Sequence, residues 1–190
     1  MKKPEFHFPP LFKKLKRGGP AIIQPKDSGM IISYTGLSNT SRILECGSGT
    51  GFLTIALASI AKEVVSYEQK EEFLKLAIDN AKRVGLSNIT FKHKDIVEGI
   101  DETNLDVVIL DMQYAEKVIQ LAYNALKKDG FLVGYLPNIE QAKTFYLACN
   151  EFSEVFMLEN IVREYEVRDF GVRPKHWGLT HSAYLVFARK

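Results

Sequence analysis

The sequence predicts a mostly parallel, seven-stranded α/β sheet with helices on both faces and an antiparallel hairpin at its C-terminal end. Three observations carry this expectation. From residue 41 onward, short apolar runs alternate with longer amphipathic stretches. A glycine-rich turn, residues 47–51, separates the first run from the first stretch. The last strand signals then follow one another with no helix between them.

Residues 41–47 read as a buried strand and residues 51–60 as a helix; residues 62–68 form the next strand. The stretch 69–84 places Phe73, Ala77, Ala81 and Val84 on one helical face, with Gly85 as its stop. Residues 88–93 are a third strand, and residues 107–110 are apolar throughout, as in a central parallel strand. Residues 115–128 are predicted helical, with Val118, Leu121, Ala122 and Ala125 inward, Lys127 and Lys128 in the last turn, and Gly130 following. A fifth strand spans 130–136 and a further helix 139–151. Strand signals close the chain at 155–158, 162–167 and 182–188.

At 190 residues the chain holds one domain with a substantial core. Its 46% hydrophobic and 25% charged residues exclude a largely disordered chain. No apolar run reaches the length of a membrane span, and the N-terminus has no apolar core of a secretory signal, which points to the cytoplasm. Cys46 and Cys149 are far apart and no His-x-x-x-His helix occurs, so the sequence offers neither a disulfide framework nor a metal site. Charge is uneven: residues 1–20 carry Lys2, Lys3, Lys13, Lys14, Lys16 and Arg17 against Glu5, a balance of +5, while the remainder balances at −3. This suggests a basic arm, residues 1–17, ahead of a domain at 18–190. Such an arm either contacts phosphates or is a solvated tail.

The sharpest local signal is the segment from Leu44 to Phe52, with Glu45 two residues ahead of glycines 47, 49 and 51. Glycines let a turn pack close against a ligand, because a Cβ would hold the backbone away. A dinucleotide fingerprint requires glycine at 52, where Phe52 stands. The G-x-G-x-G spacing instead resembles motif I of methyltransferases that use S-adenosyl-L-methionine (SAM), and this implies their class I, Rossmann-like fold. The candidate contacts to SAM in this stretch are Glu45, Gly47, Ser48, Gly49, Thr50, Gly51, Phe52, Leu53 and Thr54. The next strand ends in Glu68, followed by Gln69, and a carboxylate there can accept from both ribose hydroxyls. Asp95, followed by Ile96, comes after the third strand and can accept from the adenine amino group. In the plainer alternative, Glu45 caps a backbone amide and Glu68 begins a helix.

The C-terminal half resembles the tRNA (adenine-N1)-methyltransferase family, which modifies positions 57 and 58 of the T-loop. The resemblance rests on residues 18–27, on Ser66-Tyr67-Glu68, on Leu110-Asp111, and on residues 131–138 and 163–168. Arg173-Pro174 and residues 180–190 complete it. It implies that Asp111 faces both the methyl donor and the target adenine, and that Tyr135 flanks the base. It further implies that Gln24, Asp27 and their neighbours cover the methionine end of SAM, that tRNA is the partner, and that the assembly is a homo-oligomer, usually a tetramer. Adenine N1 carries an in-plane lone pair and needs no deprotonation. Because methylation leaves a cationic base, a carboxylate such as Asp111 stabilises the developing charge. Its plainer alternative is a helix cap, and for Tyr135 strand packing. Candidates for holding an adenine drawn from its stack are Tyr114, Arg168, Arg173, Lys175, His176, Trp177 and His181.

Three departures from the family are visible. Members usually carry a small β-domain ahead of the glycine pair, where this sequence has seventeen residues. They often have Pro-Trp where Ala115-Glu116 stands, and a tyrosine where Gln24 stands. The alternatives are a protein-isoaspartate-type or other methyltransferase, since that type shares a Gln-Pro as in Gln24-Pro25, and a non-catalytic tRNA-binding subunit.

Overall fold

A computed structural model describes residues 7–176, 178 and 181–190; Trp177 lies outside the described residues. The strands are β1 (Arg42–Cys46), β2 (Glu63–Glu68), β3 (Ile89–His93), β4 (Leu105–Leu110), β5 (Leu126–Leu136), β6 (Glu154–Glu159), β7 (Tyr165–Arg168), β8 (Gly171–Pro174) and β9 (Tyr184–Arg189). The helices are α1 (Pro10–Lys13), α2 (Pro25–Thr35), α3 (Phe52–Ala58), α4 (Glu71–Val84), α5 (Ile119–Ala125) and α6 (Ile139–Ala148). Seven strands form the main sheet in the order β3-β2-β1-β4-β5-β9-β6.

Period-two alternation sets the two faces. Leu44 and Cys46 of β1, with Val108 and Leu110 of β4, enter the core that Ala122 of α5 and Phe145 of α6 complete. Ile43, Val107 and Ile109 face the opposite way and meet Ile31 of α2 and Leu53 and Leu57 of α3. Both faces are covered, which is why β4 reads as uninterrupted apolar sequence.

Three boundaries differ from the sequence reading. The helix expected over 115–128 is a 3-10 turn at Ala115–Val118 followed by α5, which ends at Ala125. Leu126 instead pairs with Leu105 and is buried, so Lys127 and Lys128 belong to a strand, with Lys127 ion-paired to Asp106. Only the end of 162–167 becomes a strand, and β7 pairs with β8 alone, outside the main sheet. β9 runs antiparallel to both β5 and β6 and sits between them, which buries Leu185 to Ala188. Helix α2 lies where the reading placed no element, although Pro25 in its first turn and left-handed Gly36 at its end are ordinary helix punctuation.

The segment after residue 7 is docked. Phe8, Phe12 and Leu15 are buried against Phe52, Ile55 and Ala56, and the Phe12 and Phe52 rings lie 5.5 Å apart, edge to face. A T-shaped aromatic pair of this kind adds to the area it buries.

Candidate active site

Parallel pairing aligns the strand tips. Cys46 is level with Tyr67 and Leu110, and Glu68 is level with His93. The residues just beyond, Gly47, Gln69, Asp95 and Asp111, therefore gather at one edge of the sheet. This edge lies where the strand order reverses between β1 and β4, the place where open α/β sheets bind ligands. A cavity of about 770 Å³ opens there.

Two glycines of the loop are required by the protein's own packing. Gly47 has φ 96°, and a Cβ on it would stand 2.3 Å from the carbonyl oxygen of Asp111. Gly51 has φ 79° and lies against the Ala77 backbone, bringing α3 and α4 together. The loop is tied down twice more. Gly47 N–H donates to the Tyr67 carbonyl at 2.9 Å, and buried Asn80 donates to the Thr50 carbonyl at 2.8 Å.

The acids meet around this loop. Glu68 accepts from the backbone N–H of Gly49 at 2.9 Å and of Lys70 at 3.0 Å. Those bonds orient the carboxylate and occupy two of its roughly four acceptor positions. Glu45 is buried, and its Oε2 accepts from the hydroxyls of Thr54 and Ser66, so hydroxyls rather than a backbone amide satisfy it. Burial, with Asp111 and Glu68 adding repulsion, pushes its carboxyl up to about 7. Asp111 is likewise pushed up to about 7, by burial and then by the Glu68 carboxylate. Asp95 caps the 3-10 turn at Ile96–Glu98, accepting from Val97 N–H at 3.1 Å. Neither Glu45 nor Asp111 has an ion pair among the described residues, and what raises both is burial and the neighbouring carboxylates. A cavity whose acids repel one another is complementary to a cation, and this donor set fits the sulfonium and hydroxyls of SAM.

Of the sequence-derived contacts, Glu45, Gly47, Ser48, Gly49, Thr50, Phe52, Leu53, Glu68, Gln69, Asp95, Ile96, Asp111 and Tyr114 line the cavity. Gly51 and Thr54 lie behind it in the packing just described. Gln24 is buried at the start of α2, and its side chain donates to the Ile22 carbonyl. Asp27 also stands back from the cavity, in a buried cluster where its carboxylate pairs with Lys26 at 2.7 Å and accepts from Ser182 at 2.7 Å and Tyr135 at 3.3 Å. Tyr135 thereby turns its hydroxyl into this buried cluster rather than onto the cavity wall.

The remaining acceptor candidates among the described residues are not brought to the cavity. Arg168 and Arg173 sit on the β7–β8 hairpin, both paired with Glu166, and Lys175 pairs with Glu164. His176 is exposed beyond that hairpin. His181 bridges Glu159 and the Pro137 carbonyl, contacts that raise its pKa.

The sequence reading missed Lys117, Lys70 and Lys94, which bring positive charge to the cavity wall. Lys117 places its ammonium 4.5 Å from the centre of the Tyr114 ring. Tyr114 has φ 57°, an uncommon backbone state for a residue with a side chain, and its ring is largely exposed. Asn80 was missed as well, and its signal is a polar residue on the inner stripe of an amphipathic helix.

Comparison with known proteins agrees with this geometry. The sequence model of a family described as "tRNA methyltransferase complex GCD14 subunit" matches residues 16–184. A tRNA (adenine(57)-N(1)/adenine(58)-N(1))-methyltransferase of Methanocaldococcus jannaschii is 33% identical over 94% of this chain and 74% of its own. The solved tRNA (m1A58) methyltransferase of Aquifex aeolicus superposes with a TM-score of 0.89 at 28% identity, over 96% of this chain and 76% of that one. A SAM-dependent O-methyltransferase structure from Thermotoga maritima gives the same TM-score at 31% identity, over 96% and 71% of the two chains.

Proposed function

The chain belongs to the GCD14 family of tRNA methyltransferases and is a SAM-dependent tRNA (adenine-N1)-methyltransferase; from that premise we propose that its acceptor is the adenine at position 57 or 58 of the T-loop. What supports this acceptor reading is Asp111, which stands in the cavity beside the strand tips that carry Glu68 and Asp95, in a chain 33% identical to a tRNA (adenine(57)-N(1)/adenine(58)-N(1))-methyltransferase.

SAM supplies an electrophilic methyl group on a sulfonium. Glu68, held by two backbone N–H groups, accepts from the ribose hydroxyls. Asp95 accepts from the adenine amino group of the donor, with Ile96 and Met112 as apolar walls. The loop of residues 47–51 faces the methionine end. Asp111 accepts from the exocyclic amine of the target adenine and stabilises the positive charge that grows as N1 attacks. Tyr114, exposed at the cavity, offers a face for the extruded base, and the rest of the acceleration comes from positioning. Tyr135 acts indirectly, through the Asp27 cluster and the neighbouring strand end at Pro137, which lines the cavity. A homo-oligomer, a tetramer by resemblance, and a cytoplasmic location belong to the same proposal; gel filtration with and without tRNA tests the assembly.

The isoaspartyl alternative rested on Gln24-Pro25, which serves here as the start of α2. The decisive experiment incubates the protein with labelled SAM and either T-loop tRNA or an isoaspartyl peptide, then maps the methylated atom. The expected product is N1-methyladenine in the T-loop. Label on the peptide alone overturns the reading.

A further inference from the structure

We propose that the docked N-terminal segment, residues 8–17, is an RNA-binding surface that holds the tRNA backbone beside the cavity. This rests on tRNA being the substrate and extends the contact beyond the cavity itself.

Four features lead there. First, the segment is anchored by its apolar side: Phe8, Phe12 and Leu15 are buried, while Lys13, Lys14, Lys16 and Arg17 are exposed. Between residues 7 and 20 there are four Lys or Arg and no carboxylate, whereas residues 21–190 carry a net negative charge. The strip therefore carries an excess of positive charge on a body whose own balance is slightly negative, the footprint that binds phosphates.

Second, the strip is locked in register with the cavity. The buried side chain of Asn80 accepts from Lys16 N–H at 2.8 Å and donates to the Lys16 carbonyl at 3.0 Å, while also donating to Thr50 of the glycine loop. A buried amide satisfied in this way fixes its neighbours, because releasing any of them leaves a polar group unpaired. Third, the chain runs on from Arg17 directly into the cavity wall: Pro20, Ala21 and Ile23 line it. Fourth, α4 helps to anchor the strip: its Asp79 pairs with Lys16 at 3.1 Å and with Arg83 at 3.0 Å, and Lys13 and Lys14 are the exposed cations the strip offers. At the other end Lys70 stands on the cavity wall. A nucleic acid whose target base enters the cavity meets this strip with its flanking phosphates.

The test compares the parent chain with the double variant Lys13→Ala/Lys14→Ala, and with Lys62→Ala/Lys128→Ala as a control. Lys62 and Lys128 are exposed, at the entry ends of β2 and β5, across the sheet from the cavity. Binding of T-loop tRNA is read by fluorescence anisotropy across a salt series, and SAM binding by calorimetry. The arm variant should bind tRNA roughly tenfold more weakly at moderate salt, with the slope of log affinity against log salt reduced by about two. Its SAM affinity should be unchanged, which shows that the fold is intact. The charge reversal Lys13→Glu/Lys14→Glu should deepen the loss, and the control pair should leave it unmoved. If the arm variant binds tRNA with the affinity and salt slope of the parent, the arm inference fails and the substrate assignment stands. Equal losses in the control pair likewise refute the arm as the site. If the parent chain neither binds nor methylates tRNA, both readings fall together.

Discussion

Carboxylates inside the cavity and carboxylates elsewhere in the molecule are treated in opposite ways. At the tips of β1 and β4, Glu45 and Asp111 are withdrawn from water without an ion pair among the described residues, and both are pushed up to about 7. Outside the cavity, acids are matched by cations: Asp27 of α2 with Lys26, Glu159 of β6 with His181, Glu166 of β7 with Arg168 and Arg173, and Asp106 of β4 with Lys127. A paired acid has its charge neutralised within the protein and serves cohesion. An unpaired acid in a cavity is an unmet demand for positive charge, and a sulfonium donor together with a base that becomes cationic supplies it. The difference separates residues that hold the molecule together from residues that act on a ligand, although both kinds fall within the segments that resemble the family.

The largest effect that would break this division concerns Asp27. Replacing it by alanine strands the Lys26 ammonium in a buried site, a loss of about 3–5 kcal/mol that should lower Tm by roughly 10 °C in a chain of this size. The isosteric Asp27→Asn should leave SAM affinity within about twofold of the parent, about 0.4 kcal/mol. A fall comparable to that of a Glu68 variant would move Asp27 to the ligand side. Next is Asp111→Ala, for which turnover should drop by about 10²–10³, the scale of losing one group aimed at developing charge. SAM affinity in a calorimetric titration should change far less. Equal losses in both would make Asp111 a donor-binding group only.

Glu68→Ala should weaken SAM by about one to two decades, the worth of charge-assisted bonds to the ribose. An unchanged dissociation constant removes Glu68 from the site. The smallest effect is pH dependence. With a pKa of about 7, Asp111 is mostly ionised at pH 8 and mostly neutral at pH 6, and only the ionised form carries the negative charge that stabilises the growing cation. The ratio kcat/KM should therefore fall about tenfold from pH 8 to pH 6, following the ionised fraction of the free enzyme. Asp111→Asn should flatten that slope, and a slope that survives belongs to Glu45 instead.

The cavity was the legible part. Its acids stand at the ends of apolar runs, so reading where strands stop already places Glu68, Asp95 and Asp111 on one edge of a parallel sheet. The same logic found the glycine loop, but it assigned all three glycines to ligand approach. Gly47 and Gly51 are in fact demanded by the Asp111 backbone and by Ala77, contacts between segments far apart in sequence that no local pattern reveals. The paired acids misled for the same reason. The Lys26–Asp27–Tyr135–Ser182 cluster draws on α2, β5 and the approach to β9, and nothing in Asp27 itself says that its charge is met at home. Arg168 and Arg173 looked suited to an acceptor, yet β7 and β8 pair only with each other and carry them away from the cavity. Apolar periodicity fixed strand β4 correctly but overran α5, because Leu126 satisfies a helical stripe and a strand pairing equally well.

The most direct measurement is the crystal structure of the protein soaked with SAM. The donor is predicted to lie across the tips of β1, β2 and β4, with its ribose hydroxyls on Glu68, its purine beside Asp95 and Ile96, and its methyl group turned toward Asp111. Density for the donor away from these carboxylates, or none at saturating concentration, would contradict the account.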